Sequence, residues 1–114
     1  MEIKPAESVP ARPVAMDGAE KVTMRMLIGP DQDAPTFNMR MFDVAAGGHT
    51  PQHEHPWEHE VFVLSGRGEV RSAGGAREVS AGVCVYVPPG EKHQFANTGD
   101  EPMRFLCLVP KDSG

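Results

Sequence analysis

Between Lys21 and Pro110 the chain is interrupted at short intervals by Gly29-Pro30, Pro35, Gly47-Gly48, Pro56, Gly66, Gly68, Gly74-Gly75, Gly82, Pro88-Pro89-Gly90, Gly99 and Pro102. Proline removes a backbone donor and fixes φ, and glycine is costly to order inside a helix, so this spacing leaves little room for helices of ordinary length. The stretches between the breaks alternate instead. Val22, Met24, Met26 and Ile28 alternate with Thr23, Arg25 and Leu27, which predicts a half-buried strand ended by Gly29-Pro30. After a loop over Asp31 to Pro35, Phe37, Met39 and Met41 alternate with Asn38 and Arg40 in a second strand that stops near Gly47-Gly48. The methionines of both runs read as flexible core filler.

Further strands are expected at Val61 to Leu64, at Glu69 to Ser72 and Ala76 to Ser80 around Gly74-Gly75, and at Val83 to Val87. Two more follow at His93 to Ala96 and Met103 to Val109. About eight to ten short strands with frequent turns define an all-β chain, a closed antiparallel β-barrel or jelly roll. The 114 residues suffice for one such domain. Residues 1–20 hold Pro5, Pro10 and Pro13 without a helical or alternating period, and read as an extended N-terminal arm. Residues 21–110 form the barrel and residues 111–114 a C-terminal tail.

The formal net charge is -5, from 16 acidic and 11 basic residues, and no basic run is present. Nucleic acid is therefore not an expected partner. No segment has the apolar length of a signal peptide or membrane span, so the expected location is the cytoplasm, away from membrane. Cys84 and Cys107 lie in apolar runs, where free cysteine behaves as a small buried hydrophobe.

Chemistry concentrates between Gly47 and Gly66, where His53, His55 and His59 fall within seven residues. In an extended chain residues two apart share a side, so His53 and His55 present both imidazoles together while Glu54 faces away. Pro56 and Trp57 then break the strand, and His59 heads the next run. His93 follows Pro88-Pro89-Gly90, a turn that aims it back toward the first three. The spacing is Gly47, five residues, His53, Glu54, His55, three residues, His59, six residues, Gly66; then Gly82, five residues, Pro88, Pro89, Gly90, two residues, His93, three residues, Asn97.

These two patterns resemble the paired signatures of the cupin superfamily, with one departure: His59 stands where the family usually has glutamate. Glu60 is a rival for that ligand position, but it lies one residue too close to Gly66, and neighbours on a strand face opposite sides. His59 is therefore read as inward and Glu60 as outward. The stretches LIGPDQDAPTFNMRMF, HPWEHEVFVLSG and FLCLVPK are similar to short bacterial cupins of the four-histidine, manganese-binding class. The resemblance implies a metal centre held by His53, His55, His59 and His93 with two adjacent open positions, in a pocket lined by aromatic and sulfur side chains. Manganese is its first choice of metal, while imidazole donors also suit iron, nickel, zinc and copper.

Phe105 and Cys107 share one face of the last strand, opposite Arg104, and so point inward; one reading is core packing, and the resemblance implies that they line the pocket near the metal together with Phe95, which shares the face of His93. Arg40 has two readings: an exterior strand charge or, as the resemblance implies, a residue near the site that holds an anionic group of a small-molecule substrate. Trp57 reads as a packing anchor or a substrate platform, and His49 as a rim residue outside the signature.

Four neutral imidazoles would leave a divalent ion its full charge, a stronger Lewis acid than the three-His, one-Glu set provides. Adjacent open positions suit an oxidoreductase of dioxygenase type on a small organic molecule. The alternatives are a non-catalytic metal- or ligand-binding module and a metal-assisted isomerase or hydrolase. Phe62 and Leu64 share the outward face of Glu60, apolar surface that predicts a homodimer.

Overall fold

The computed structural model, which describes residues 1–113, contains nine strands: β1 (Arg12–Pro13), β2 (Glu20–Ile28), β3 (Phe37–His49), β4 (His59–Ser65), β5 (Arg67–Ser72), β6 (Gly75–Ser80), β7 (Cys84–Val87), β8 (His93–Ala96) and β9 (Met103–Pro110). Short 3-10 turns at Ala6–Ser8 and Pro30–Gln32 are the helical segments among the described residues. Every pairing is antiparallel, and the strands run in the order β6-β5-β8-β3-β9-β4-β7, with β2 on the other edge of β3 and β1 beyond β2. This is the curled antiparallel sheet expected of a single-domain cupin β-barrel.

The curl depends on β3. Its first part, Phe37 to Val44, pairs with β9, whereas its end, His49, pairs with Ala96 of β8. The change of partner occurs across Gly47-Gly48. Gly47 has φ +79, and a Cβ at Gly48 would lie 2.6 Å from the Glu20 carbonyl oxygen, so only glycine lets β2 and β3 approach here. The β2–β3 register shifts at the same point, between Glu20 and Val22.

One part of the interior is apolar. Val44, Val61, Val63, Val79, Val87, Phe95, Met103, Phe105, Cys107 and Val109 form one buried cluster, and Phe105 stacks on both Phe42 and Phe95 at 5.3 and 4.9 Å between ring centroids. Burying one such side chain contributes roughly 1.5–3 kcal/mol. On the opposite face, Asp43 pairs with Arg25 at 2.9 Å and with Arg104 at 2.7 Å, and Glu7 reaches the same two arginines.

That contact changes the reading of the arm. Residues 1–20 are not wholly without an element, because Arg12 and Pro13 pair with Met24 and Thr23, so the arm lies along its own barrel. Three other expectations are also corrected. A register shift between Met26 and Ile28 breaks the alternation of β2, leaving Leu27 buried and Ile28 exposed. In β3 Val44 belongs to the core cluster and Phe42 packs against it, both on the Arg40 face; Met41 is buried as expected, but Phe37 is exposed. Cys84 is exposed on β7; Cys107 is buried and both thiols are free. No helix among the described residues is long and apolar enough to cross a membrane.

Candidate metal centre

The segment carrying His53 and His55 is not a regular strand. It is extended and fastened at intervals to the chain around His93. Asn97 donates its backbone N–H to the Gly48 carbonyl at 2.9 Å and Thr50 to that of Phe95 at 2.8 Å; His53 and His93 exchange two such bonds, and Gly90 donates to the His55 carbonyl at 2.7 Å. The Thr50 hydroxyl oxygen accepts the Phe95 N–H at 2.9 Å. The two signature stretches are thereby aligned on each other, and Gly90, at φ +81, belongs to the turn between β7 and β8 that leads into His93.

Four imidazoles converge as a result. Donor atoms of His53, His55 and His93 all lie within 4.8 Å of one another. His59, at the head of β4 and 6% exposed, brings Nε2 to 3.2 Å from Nδ1 of His55, with its ring 4.9 Å from that of His93. Two nitrogens each about 2.1 Å from one ion lie about 3.0 Å apart at right angles and about 3.4 Å apart at the tetrahedral angle. The His55–His59 separation falls in that range, and the donor set is chemically suited to a divalent transition metal. Glu60 points the other way and is exposed.

Charge is disfavoured on the rings of His53, His55 and His59. Burial, then the neighbouring His93 and His55, then Arg40 push His59 from 6.5 down to about 3. Burial and the same kinds of neighbour bring His53 to about 4 and lower His55 as well. These imidazoles are neutral at pH 7, with lone pairs available to a metal. His93 holds Nδ1 2.9 Å from the Glu91 carbonyl oxygen. A carbonyl can only accept, so Nδ1 carries a proton and Nε2 is the nitrogen of this ring that faces the cluster as a candidate donor to a metal.

Phe95, Phe105 and Cys107 are buried and point inward. Arg40, left open between exterior and interior, lies on the interior face: its Nη2 is 3.2 Å from Cys107 Sγ, its guanidinium lies 5.1 Å from the Phe42 ring centroid, and its Nε is buried without a hydrogen-bond partner. Burial raises the Cys107 thiol, with Arg40 acting in the opposite sense. Trp57 stacks on His55 at 4.4 Å and 4° while packing against the core, so it anchors a candidate ligand rather than only a loop. Phe42 was missed at the sequence level, although it stands two residues from Arg40 on the same face. Half-buried His49 faces Gln94, away from the four-ring cluster.

A small antiparallel barrel with inward-facing histidines drawn from two separated segments defines a β-barrel class with a candidate metal site. Residues 40–109 match the cupin domain family, and the chain belongs to it. The polyketide cyclase RemF from Streptomyces resistomycificus superposes with a TM-score of 0.91 at 35% identity, over 96% of this chain and 79% of that one. A 1-methylthio-D-xylulose 5-phosphate methylsulfurylase of Rhodospirillum rubrum is 35% identical over 65% of this chain, and a glucose-6-phosphate isomerase of Thermococcus litoralis is 45% identical over 46% of it. The matched regions span only 47% and 30% of those two relatives.

Proposed function

We propose that this cupin is a mononuclear metal protein of the four-histidine class, with manganese as first choice, acting on a small, oxygen-rich anionic molecule without net oxidation. The observation that carries the reading is the convergence of the His53, His55, His59 and His93 rings beside Arg40, whose Nε is buried and unpartnered. In this reading the four imidazoles hold the ion and add no negative charge, while Arg40 receives the anionic group of the substrate. Phe95, Phe105 and Trp57 keep water from the pocket and Cys107 lies against the metal-binding face. A divalent ion held by these residues would supply Lewis-acid polarisation of a substrate carbonyl. The names of the related cyclase and of the sugar-phosphate enzymes support carbonyl chemistry of this kind.

A dioxygenase-type oxidation is the second reading. It is favoured by the donor set: four neutral imidazoles leave a divalent ion its full charge, which suits an oxygen species and a chelating substrate on one ion. Manganese-loaded protein incubated with sugar phosphates and β-dicarbonyl acids, under argon and under air with an oxygen electrode, separates the readings. Chelator-sensitive turnover that is equal under both gases supports carbonyl chemistry. Oxygen uptake in step with product supports the dioxygenase reading, and metal binding without turnover of any tested compound supports a binding module.

A further inference from the structure

His59 differs from His93 in what meets its outer nitrogen. The Nδ1 of His93 faces a backbone carbonyl, whereas the Nδ1 of His59 lies 3.1 Å from Cys107 Sγ and its Nε2 faces His55. An imidazole that gives Nε2 to an ion must carry its proton on Nδ1, and the atom this proton meets is the sulfur. We infer that Cys107 is a positioning residue for the metal centre: its Sγ accepts the Nδ1–H of His59 and holds that ring with Nε2 bare toward the other histidines. The inference rests on the metal-centre reading.

Three observations support the assignment. Cys107 stands opposite both Arg40 on β3 and Val61 on β4, so strand register places its side chain beside His59, two residues before Val61 on the same inward face. The sulfur also receives Arg40 Nη2 at 3.2 Å, which directs one lone pair to the guanidinium and leaves another for His59. Burial of both partners removes water as a competing acceptor. A neutral thiol in this place orients the ring without bringing negative charge, whereas a carboxylate would offset part of the ion's charge through the imidazole.

The test uses the whole chain, 15N-labelled and loaded with zinc ions, because zinc is diamagnetic. Two-bond 1H–15N correlation spectra identify which ring nitrogen is protonated; the expected pattern for His59 is a protonated Nδ1 and a zinc-bound Nε2. Zinc on Nδ1, or a proton on Nε2, overturns the inference without need of any variant. Chelator competition then compares variants. C107A is expected to lose ~10- to 100-fold in zinc affinity, C107S to recover part of the loss through its hydroxyl acceptor, and V109A, which opens a cavity at the next inward position, to bind like the parent. Parental affinity in C107A, no recovery in C107S, or an equal loss in V109A overturns it. If C107A does not fold, the spectrum of the parent and the C107S affinity decide. A parent chain that takes up no zinc refutes the metal-centre reading itself, whereas binding with the wrong nitrogen refutes only the role of Cys107.

Discussion

His59 and Glu60 are adjacent at the head of β4 and face opposite sides of the sheet, the imidazole 6% exposed and the carboxylate open to solvent. Their backbones pair in succession with Val87 and Tyr86, so a one-residue slip would exchange the two side chains. His59→Ala is expected to weaken metal affinity well beyond the ~10- to 100-fold typical of residues that only support a ligand, and Glu60→Ala to leave it near the parental value. His59→Glu should retain an ion and lower the charge of the site by one. Metal titrations on variants shown to be folded by circular dichroism check this; metal loss in Glu60→Ala with retention in His59→Ala would mean that the carboxylate is the ligand.

Acid should destabilise the metal-free protein. The folded-state values of about 4 for His53 and about 3 for His59 lie below the unfolded value of 6.5, so between these limits the unfolded chain binds more protons. Stability is then greatest above pH 6.5 and falls as pH drops toward 3. Urea midpoints at pH 7, 5.5 and 4.5 are expected to decline in that order once carboxylate titration is subtracted with a His53→Gln, His59→Gln double variant. Because both rings are already neutral, protons should displace the metal only well below pH 6.5; half-loss of metal at pH 6 or above would contradict this.

Thr50 links the two signature segments, its hydroxyl oxygen accepting the buried Phe95 N–H at 2.9 Å. Thr50→Val keeps the shape and removes the acceptor, stranding that donor. The expected cost is about 1–3 kcal/mol in chemical denaturation, with a parallel drop in metal affinity because His53 is held by the same set of backbone contacts. Unchanged metal affinity in a destabilised variant would separate the fastening from the site.

We propose a homodimer formed through the outer face of β4 and β7, where Phe62 is 43%, Leu64 41% and Tyr86 61% exposed. Phe62 pairs with Cys84 and Glu60 with Tyr86, so these side chains form one patch beside the unpaired edge of β7. Sedimentation at micromolar concentration is expected to give a dimer for the parent and a monomer for a Phe62→Glu, Leu64→Lys variant. A parental monomer would refute the interface.

The sequence by itself determined the β architecture, because closely spaced glycines and prolines exclude long helices and alternation defines strands locally. It also determined which four histidines gather and that His59 and Glu60 diverge, since strand periodicity is a property of neighbouring residues. Tertiary structure decided what periodicity leaves open. The face of β3 that meets the histidine side of the sheet is the one bearing Arg40, Phe42 and Val44, because pairing with β9 sets Arg40 opposite Cys107 and Phe42 opposite Phe105, while Met41 on the other face is also buried. A bulge in β2, invisible in composition, exposes Ile28. The contact between His59 and Cys107, separated by 48 residues, exists only because β4 and β9 are neighbours in the sheet. Alternation specifies that a strand has two faces, and only packing against other strands selects which one is inside.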